Sequence, residues 1–279
     1  MTEEKLNIRT RALAFMLLSL IVLFIIAPIA VVLIMPENGS ILLNYIMVNG
    51  PFIILFLFLF LLSEPIMHRP LREIMEMEVP FRKNLFLSIS ILSVAVYIVF
   101  SLIRYEATRI NDTGWNTRLM LLLPVLIITP IQALSEEIVF RMLPYRIAFG
   151  NGKPCRLSAA MPYILISSIV FMLPHLPNAE VRTASSFIPI IYYFLWGSGA
   201  ALLSVLTGGF EAAAAMHITN NLYIALMVNY EGSSLPSASV FLTEMNPDSP
   251  MVIIETIALF ALLLTYSARK GYIRISSEK

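Results

Sequence analysis

The run ALAFMLLSLIVLFIIAPIAVVLIM, from Ala12 to Met35, carries no charged side chain. A helix that crosses a bilayer needs about 20 mostly apolar residues, because in hydrocarbon its backbone hydrogen bonds must close internally. This run meets that length. It is too long for the core of a secretion signal and lacks a clear cleavage pattern, so it reads as a retained first span. Seven more runs of the same kind follow, at about 41–63, 84–103, 119–140, 157–174, 187–206, 210–229 and 250–268. The expectation is an all-α polytopic membrane protein of about eight transmembrane helices, with residues 1–279 forming a single membrane domain.

Composition agrees. The chain is 58% hydrophobic and 13% charged, about half the charge of a soluble domain. Its mean hydropathy is +0.81. So apolar a chain cannot hide its surface from water in one core, and lipid is its solvent. A net charge of +1 argues against nucleic acid as a partner. Cys155 is the only cysteine, which rules out an intramolecular disulfide and a multi-cysteine metal site.

Turn residues punctuate the spans at Pro36-Glu37-Asn38-Gly39, at Gly208-Gly209, at Pro236 and at Asn246-Pro247-Asp248-Ser249-Pro250. With the N-terminus inside, fifteen of the nineteen basic residues fall on the cytoplasmic side, from Lys5, Arg9 and Arg11 to Lys279. Arg141 and Arg146 belong to that count, and only Arg104, Arg109, Arg118 and Arg182 face outward. The positive-inside rule therefore puts both termini in the cytoplasm. The connector Arg69–Lys83 reads as a charged helix lying at the interface.

Several polar residues sit where an apolar span should have none, and each such group costs about 2.5–3.5 kcal/mol at a helix centre. The fourth span ends in Ser135-Glu136-Glu137-Ile138-Val139-Phe140-Arg141. Glu137 and Arg141 pair at i,i+4 with the acid on the N-terminal side. Glu136 lies about 100° around the helix, without an obvious local partner. A lone desolvated carboxylate suits a general base or acid, whereas a pair of acids in headgroup water would be merely interfacial. Phe171 and His175 are one turn apart at the end of the fifth span, where Pro174 and Pro177 break the helix. His217 and Asn221 are one turn apart in the seventh span, behind the alanines 212–215 that permit close helix approach. Singly, each histidine reads more readily as an interface residue or as hydrogen-bonding glue. Together, three helices supply a base and several donors, the inventory for water attack on a carbonyl.

In this order, Glu136-Glu137-x-x-x-Arg141, Phe171-x-x-x-His175 and His217-x-x-x-Asn221 resemble the CPBP family over roughly residues 119–229. That family comprises CAAX prenyl endopeptidases of the Ras-converting type and bacteriocin-processing or immunity proteins. The resemblance implies an intramembrane catalytic cavity open to the cytoplasm and a membrane-anchored peptide or prenylated protein C-terminus as substrate. It implies Glu136 as general base, His175 holding the water, and His217 with Asn221 stabilising the oxyanion. Glu137 and Arg141 would brace the site, and Phe171 would shape the pocket. Glu136, His175 and His217 could form a zinc site, but no H-E-x-x-H spacing is present, and direct water activation without a cofactor is the preferred reading. A non-catalytic member, an immunity factor or scaffold, is the alternative. A proton pathway is a third class, weakened by the lack of an inverted repeat.

One conflict stands in the sequence. A simple serpentine puts Glu136 near the cytoplasmic face and His175 at the opposite one, ~25–30 Å away. Either span four continues past Pro144, or span five is tilted and broken at Pro174. Hydropathy does not choose.

Overall fold

The structure is a computed structural model that describes residues 3–34, 39–104, 107–154, 156–235, 237–244 and 246–274, with side chains from residue 7 onward. The turn at Pro36 to Asn38, Cys155, Pro236, Lys279 and the side chain of Lys5 lie outside the described residues.

Helix α1 (Glu3–Ile21) continues through a π-turn (Val22–Ile26) into α2 (Ala27–Ile34). Ser40 caps α3 (Ile41–Met67) by accepting from the Leu43 amide at 3.2 Å, and His68 ends it in the left-handed region at φ 56°. The short α4 (Leu71–Met75) leads to α5 (Lys83–Ile103) and strand β1 (Thr108–Ile110). Helix α6 (Trp115–Glu137), a π-turn (Ile138–Met142) and α7 (Leu143–Phe149) form one continuous rod. Then come α8 (Leu157–Met172), a 3-10 turn (Leu173–His175), α9 (Ala179–Arg182) and α10 (Ile188–Thr207). The chain closes with α11 (Glu211–Leu226), β2 (Val228–Tyr230), β3 (Phe241–Thr243) and α12 (Met251–Arg269).

The protein is all-α and multi-pass. Among the described residues, seven helical segments are long and apolar enough to cross a membrane: Asn7–Ile34, Ile41–Met67, Lys83–Ile103, Trp115–Phe149, Leu157–His175, Ile188–Thr207 and Met251–Arg269. Their outward faces carry side chains that water would not tolerate, such as Leu33, 81% exposed. The eighth expected span is the exception. Helix α11 has 16 residues, about 24 Å at 1.5 Å per residue, shorter than the hydrocarbon thickness. Its forecast end at residue 229 fails because Val228–Tyr230 is a strand that pairs parallel with β3. β1 pairs antiparallel on the other edge of β3, with Arg109 opposite Leu242. An apolar run does not say whether it continues as helix or turns into strand.

Helix α11 is an internal helix. Ala212, Ala213, Ala214 and Ala215 are almost completely buried, and it packs on α5, α6 and α10. Helix α10 packs on α8 so closely that a Cβ at Gly197 would lie 2.8 Å from the Ser168 Cα.

The connector differs from the expected interfacial helix. Only Leu71–Met75 is helical, and Leu71 and Ile74 turn inward. Arg146, 4% exposed, straps the segment by donating to the carbonyls of Glu73 (2.9 Å) and Glu76. Arg141 is likewise buried, at 1% exposed. Two cations counted from sequence as loop charges are thus structural, although the connector end keeps its basic excess.

Candidate active site

Pro144 has no N–H to give the Phe140 carbonyl, so a helix should break there. It does not. The π-turn absorbs the mismatch, and the Ser167 hydroxyl on α8 donates to the Phe140 carbonyl at 2.6 Å. The rod therefore runs on to Phe149, and Glu136 sits about 20 Å from that end. The fifth span ends in the 3-10 turn at Leu173–His175. Of the two ways out of the serpentine conflict, continuation of span four past Pro144 is realised.

The result brings the three motifs together. Glu137 is fully buried and accepts from Arg141 and from His217 Nδ1, the latter at 2.6 Å. Glu136, 4% exposed, accepts on Oε1 from Gln132 Nε2 at 2.6 Å. Its Oε2 is buried without a hydrogen-bond partner among the described residues. His217 Nε2 lies 3.5 Å from that oxygen. Asn221, one turn along α11, donates from Nδ2 to Gln132 Oε1 at 2.9 Å. The adjacent acids thus divide the available partners. Glu137 is paired with Arg141 and orients the imidazole through one oxygen; each acid keeps its Oε2 without a hydrogen bond among the described residues, and that of Glu136 is the one that faces His217 Nε2.

Phe171 joins the pieces. Its ring lies 4.3 Å from the Arg141 guanidinium carbon, a cation–π contact. The same ring is 4.7 Å from the His175 ring and 5.8 Å from the His217 ring, centre to centre. His175 is half-buried, and its Nδ1 is 2.8 Å from the Phe171 carbonyl. That contact assigns the proton to Nδ1 and a lone pair to Nε2. Every residue expected for the site is therefore in one neighbourhood of α6, α8 and α11.

Sequence reading missed several contributors. Gln132 bridges Glu136 and Asn221. Its signal was an amide one turn before Glu136 in an apolar span, where any polar side chain needs a reason. Tyr193 on α10 packs its ring 4.3 Å from His175 and donates to Glu180 on α9. Glu180 also accepts from Asn178 at 3.2 Å and Ser234 at 3.3 Å. Burial and the Glu180 carboxylate push the nearby Tyr230 phenol above its ordinary range. These contacts have no sequence signature, since they join α9, α10 and the β2–β3 loop. Glu211 pairs with Arg82 and Glu255 with Arg104.

Glu136, His175 and His217 are not arranged as a zinc ligand set. Among the described residues no three His, Cys, Asp or Glu side chains converge to hold a metal ion. Two clefts, of about 380 and 210 Å³, lie along the connector rather than at Glu136 and Glu137.

Comparison with known proteins bears on this core. Residues 117–223 match the family model for type II CAAX prenyl endopeptidase, Rce1-like. The resemblance drawn from the three motifs thus holds for the segment that carries them. The uncharacterized protein YyaK of Bacillus subtilis (strain 168) is 25% identical over 152 residues, covering 53% of this chain and 48% of that protein. The chain thus spans about half the length of that relative. No solved structure matches.

Proposed function

We propose that this chain is an intramembrane endopeptidase that hydrolyses a peptide bond near the C-terminus of a membrane-associated, prenylated substrate. The observation that carries the reading is the unpaired Glu136 Oε2, buried 3.5 Å from His217 Nε2, within a core that matches the Rce1-like model.

Glu136 Oε2 takes a proton from water as the water oxygen attacks the scissile carbonyl carbon. His175 Nε2, a lone-pair acceptor, holds the same water by its other hydrogen. The resulting oxyanion is met by an Asn221 Nδ2 hydrogen. His217, its Nδ1–H held by Glu137, turns Nε2 toward the same site and donates to the oxyanion when that nitrogen carries a proton. As the C–N bond breaks, Glu136 returns its proton to the leaving amine and is again a carboxylate. Arg141 acts at one remove, by holding Glu137. The basic excess at the connector end supports cytoplasmic termini and a cytoplasmic opening of the site.

The test is cleavage of a fluorogenic farnesylated CAAX peptide by the purified protein, beside Glu136→Gln and with and without chelator. Loss of a general base should cost about 10²–10⁴-fold in turnover, with chelator making no difference. Wild-type turnover by Glu136→Gln would sink the mechanism. Failure of folded wild type to cleave would remove the prenyl substrate and favour the non-catalytic alternative.

A further inference from the structure

We infer that Gln132 is a positioning residue that selects which oxygen of Glu136 acts as the base and fixes Asn221 to the same frame. The inference rests on the functional reading above.

Helices α6 and α11 run antiparallel through the site, so i,i+4 pairs on the two helices face each other in reverse order. Gln132 meets Asn221, and one turn on, Glu136 and Glu137 meet His217. At one corner of this square stands a single planar amide, 8% exposed. Its Nε2 donates to Glu136 Oε1 at 2.6 Å, and its Oε1 accepts from Asn221 Nδ2 at 2.9 Å. The assignment is forced by chemistry, since an ionised carboxylate only accepts, so the amide nitrogen must face it.

Two consequences follow. The oxygens of Glu136 become inequivalent: Oε1 is anchored, and Oε2 is the one presented toward His217. Asn221 is also held at both ends, because its Oδ1 accepts from Asn220 Nδ2 at 3.0 Å. One of its Nδ2 hydrogens goes to Gln132, and the other keeps a set direction for the oxyanion. Base and oxyanion donor sit on different helices, and a neutral group offering a donor and an acceptor in one plane ties them together without adding charge. A misplacement of about 1 Å in such a pair costs on the order of 10²-fold in rate.

The experiment compares wild type, Glu136→Gln, Gln132→Met, Gln132→Asn, Asn221→Ala and the double variant Gln132→Met/Asn221→Ala. The assay is farnesylated CAAX peptide cleavage, with thermal unfolding of each protein measured in parallel. Methionine keeps the volume and removes both hydrogen bonds. Asparagine keeps the amide but is one methylene too short to reach both partners. Gln132→Met should lower kcat about 10–100-fold while KM moves less than about 3-fold. The double variant should lose less than the product of the two single losses, because the part of Gln132 that acts through Asn221 is already gone in Asn221→Ala, while its hold on Glu136 is not. Should Gln132→Met not fold, Gln132→Asn carries the same expectation. A residue that merely glues the helices would lower the unfolding temperature and leave kcat alone, and that outcome overturns the inference. Multiplicative losses in the double variant overturn it too. If Glu136→Gln is inactive while both Gln132 variants turn over normally, the functional reading stands and this inference falls. If Glu136→Gln is active, the functional reading itself falls.

Discussion

Replacing Arg141 by methionine isolates what the buried ion pair does for the fold. Glu137 is fully buried and Arg141 is 1% exposed, so neither charge has water to retreat to. Methionine fills much of the space of the arginine stem but leaves Glu137 only the His217 Nδ1–H, at 2.6 Å. Removing one member of a buried pair costs about 3–5 kcal/mol, because the remaining charge stays desolvated. Unfolding entropy of about 2.1 cal/mol/K per residue gives about 0.6 kcal/mol/K for a chain this long, so Tm should fall by about 5–8 °C. The informative variant is the double one. Glu137→Gln/Arg141→Met leaves neither charge of the pair behind, and its amide still reaches His217, so it should recover at least half of the lost Tm. Thermal unfolding in one detergent, with monodispersity checked for each protein, reads the cycle. An Arg141→Met protein within about 2 °C of wild type, or a double variant less stable than Arg141→Met, would refute the desolvation argument.

Two further outcomes are expected. Gly197→Ala places a methyl group against the Ser168 backbone, 2.8 Å from its Cα. Forcing α8 from α10 should cost about 1–3 kcal/mol and lower cleavage, since those helices hold His175 and Tyr193 in contact; a wild-type Tm and rate would show that the interface yields freely. Asp248 accepts from the amides and hydroxyls of Ser185 and Ser186 at 2.5–3.0 Å. Those hydrogen bonds hold its carboxyl at about 2, below the usual value near 3.9. A depressed folded-state value means the tie is complete above the unfolded value and lost as pH falls through about 2. Amide exchange at Ser185 and Ser186, corrected for intrinsic rates, should therefore be flat from pH 7 to about 4 and faster throughout in Asp248→Asn. Loss of protection between pH 7 and 4 in the wild type contradicts this.

Sequence alone determined the solvent of this protein, seven of its spanning helices, and three of the one-turn contacts in the site. Glu137 with Arg141, Phe171 with His175, and His217 with Asn221 were legible because helical periodicity is a local property. The resemblance then tied three weak motifs to one chemistry. What the tertiary structure decided was how those turns meet. Pro144 reads in sequence as a helix end, and it is bridged because Ser167, on another helix, supplies the missing donor. Helix α11 counts as a span by hydropathy, but at 16 residues, buried among α5, α6 and α10, it is an enclosed element that runs beside α5 from Arg82 to Ser101 rather than a lipid-facing one. Gln132 had no motif, and its meaning came from Asn221 lying 2.9 Å away on an antiparallel neighbour. A proline, an alanine run or an amide has no fixed consequence along the chain. Its effect depends on which hydrogen-bonding groups and surfaces another helix brings against it, and only packing fixes that.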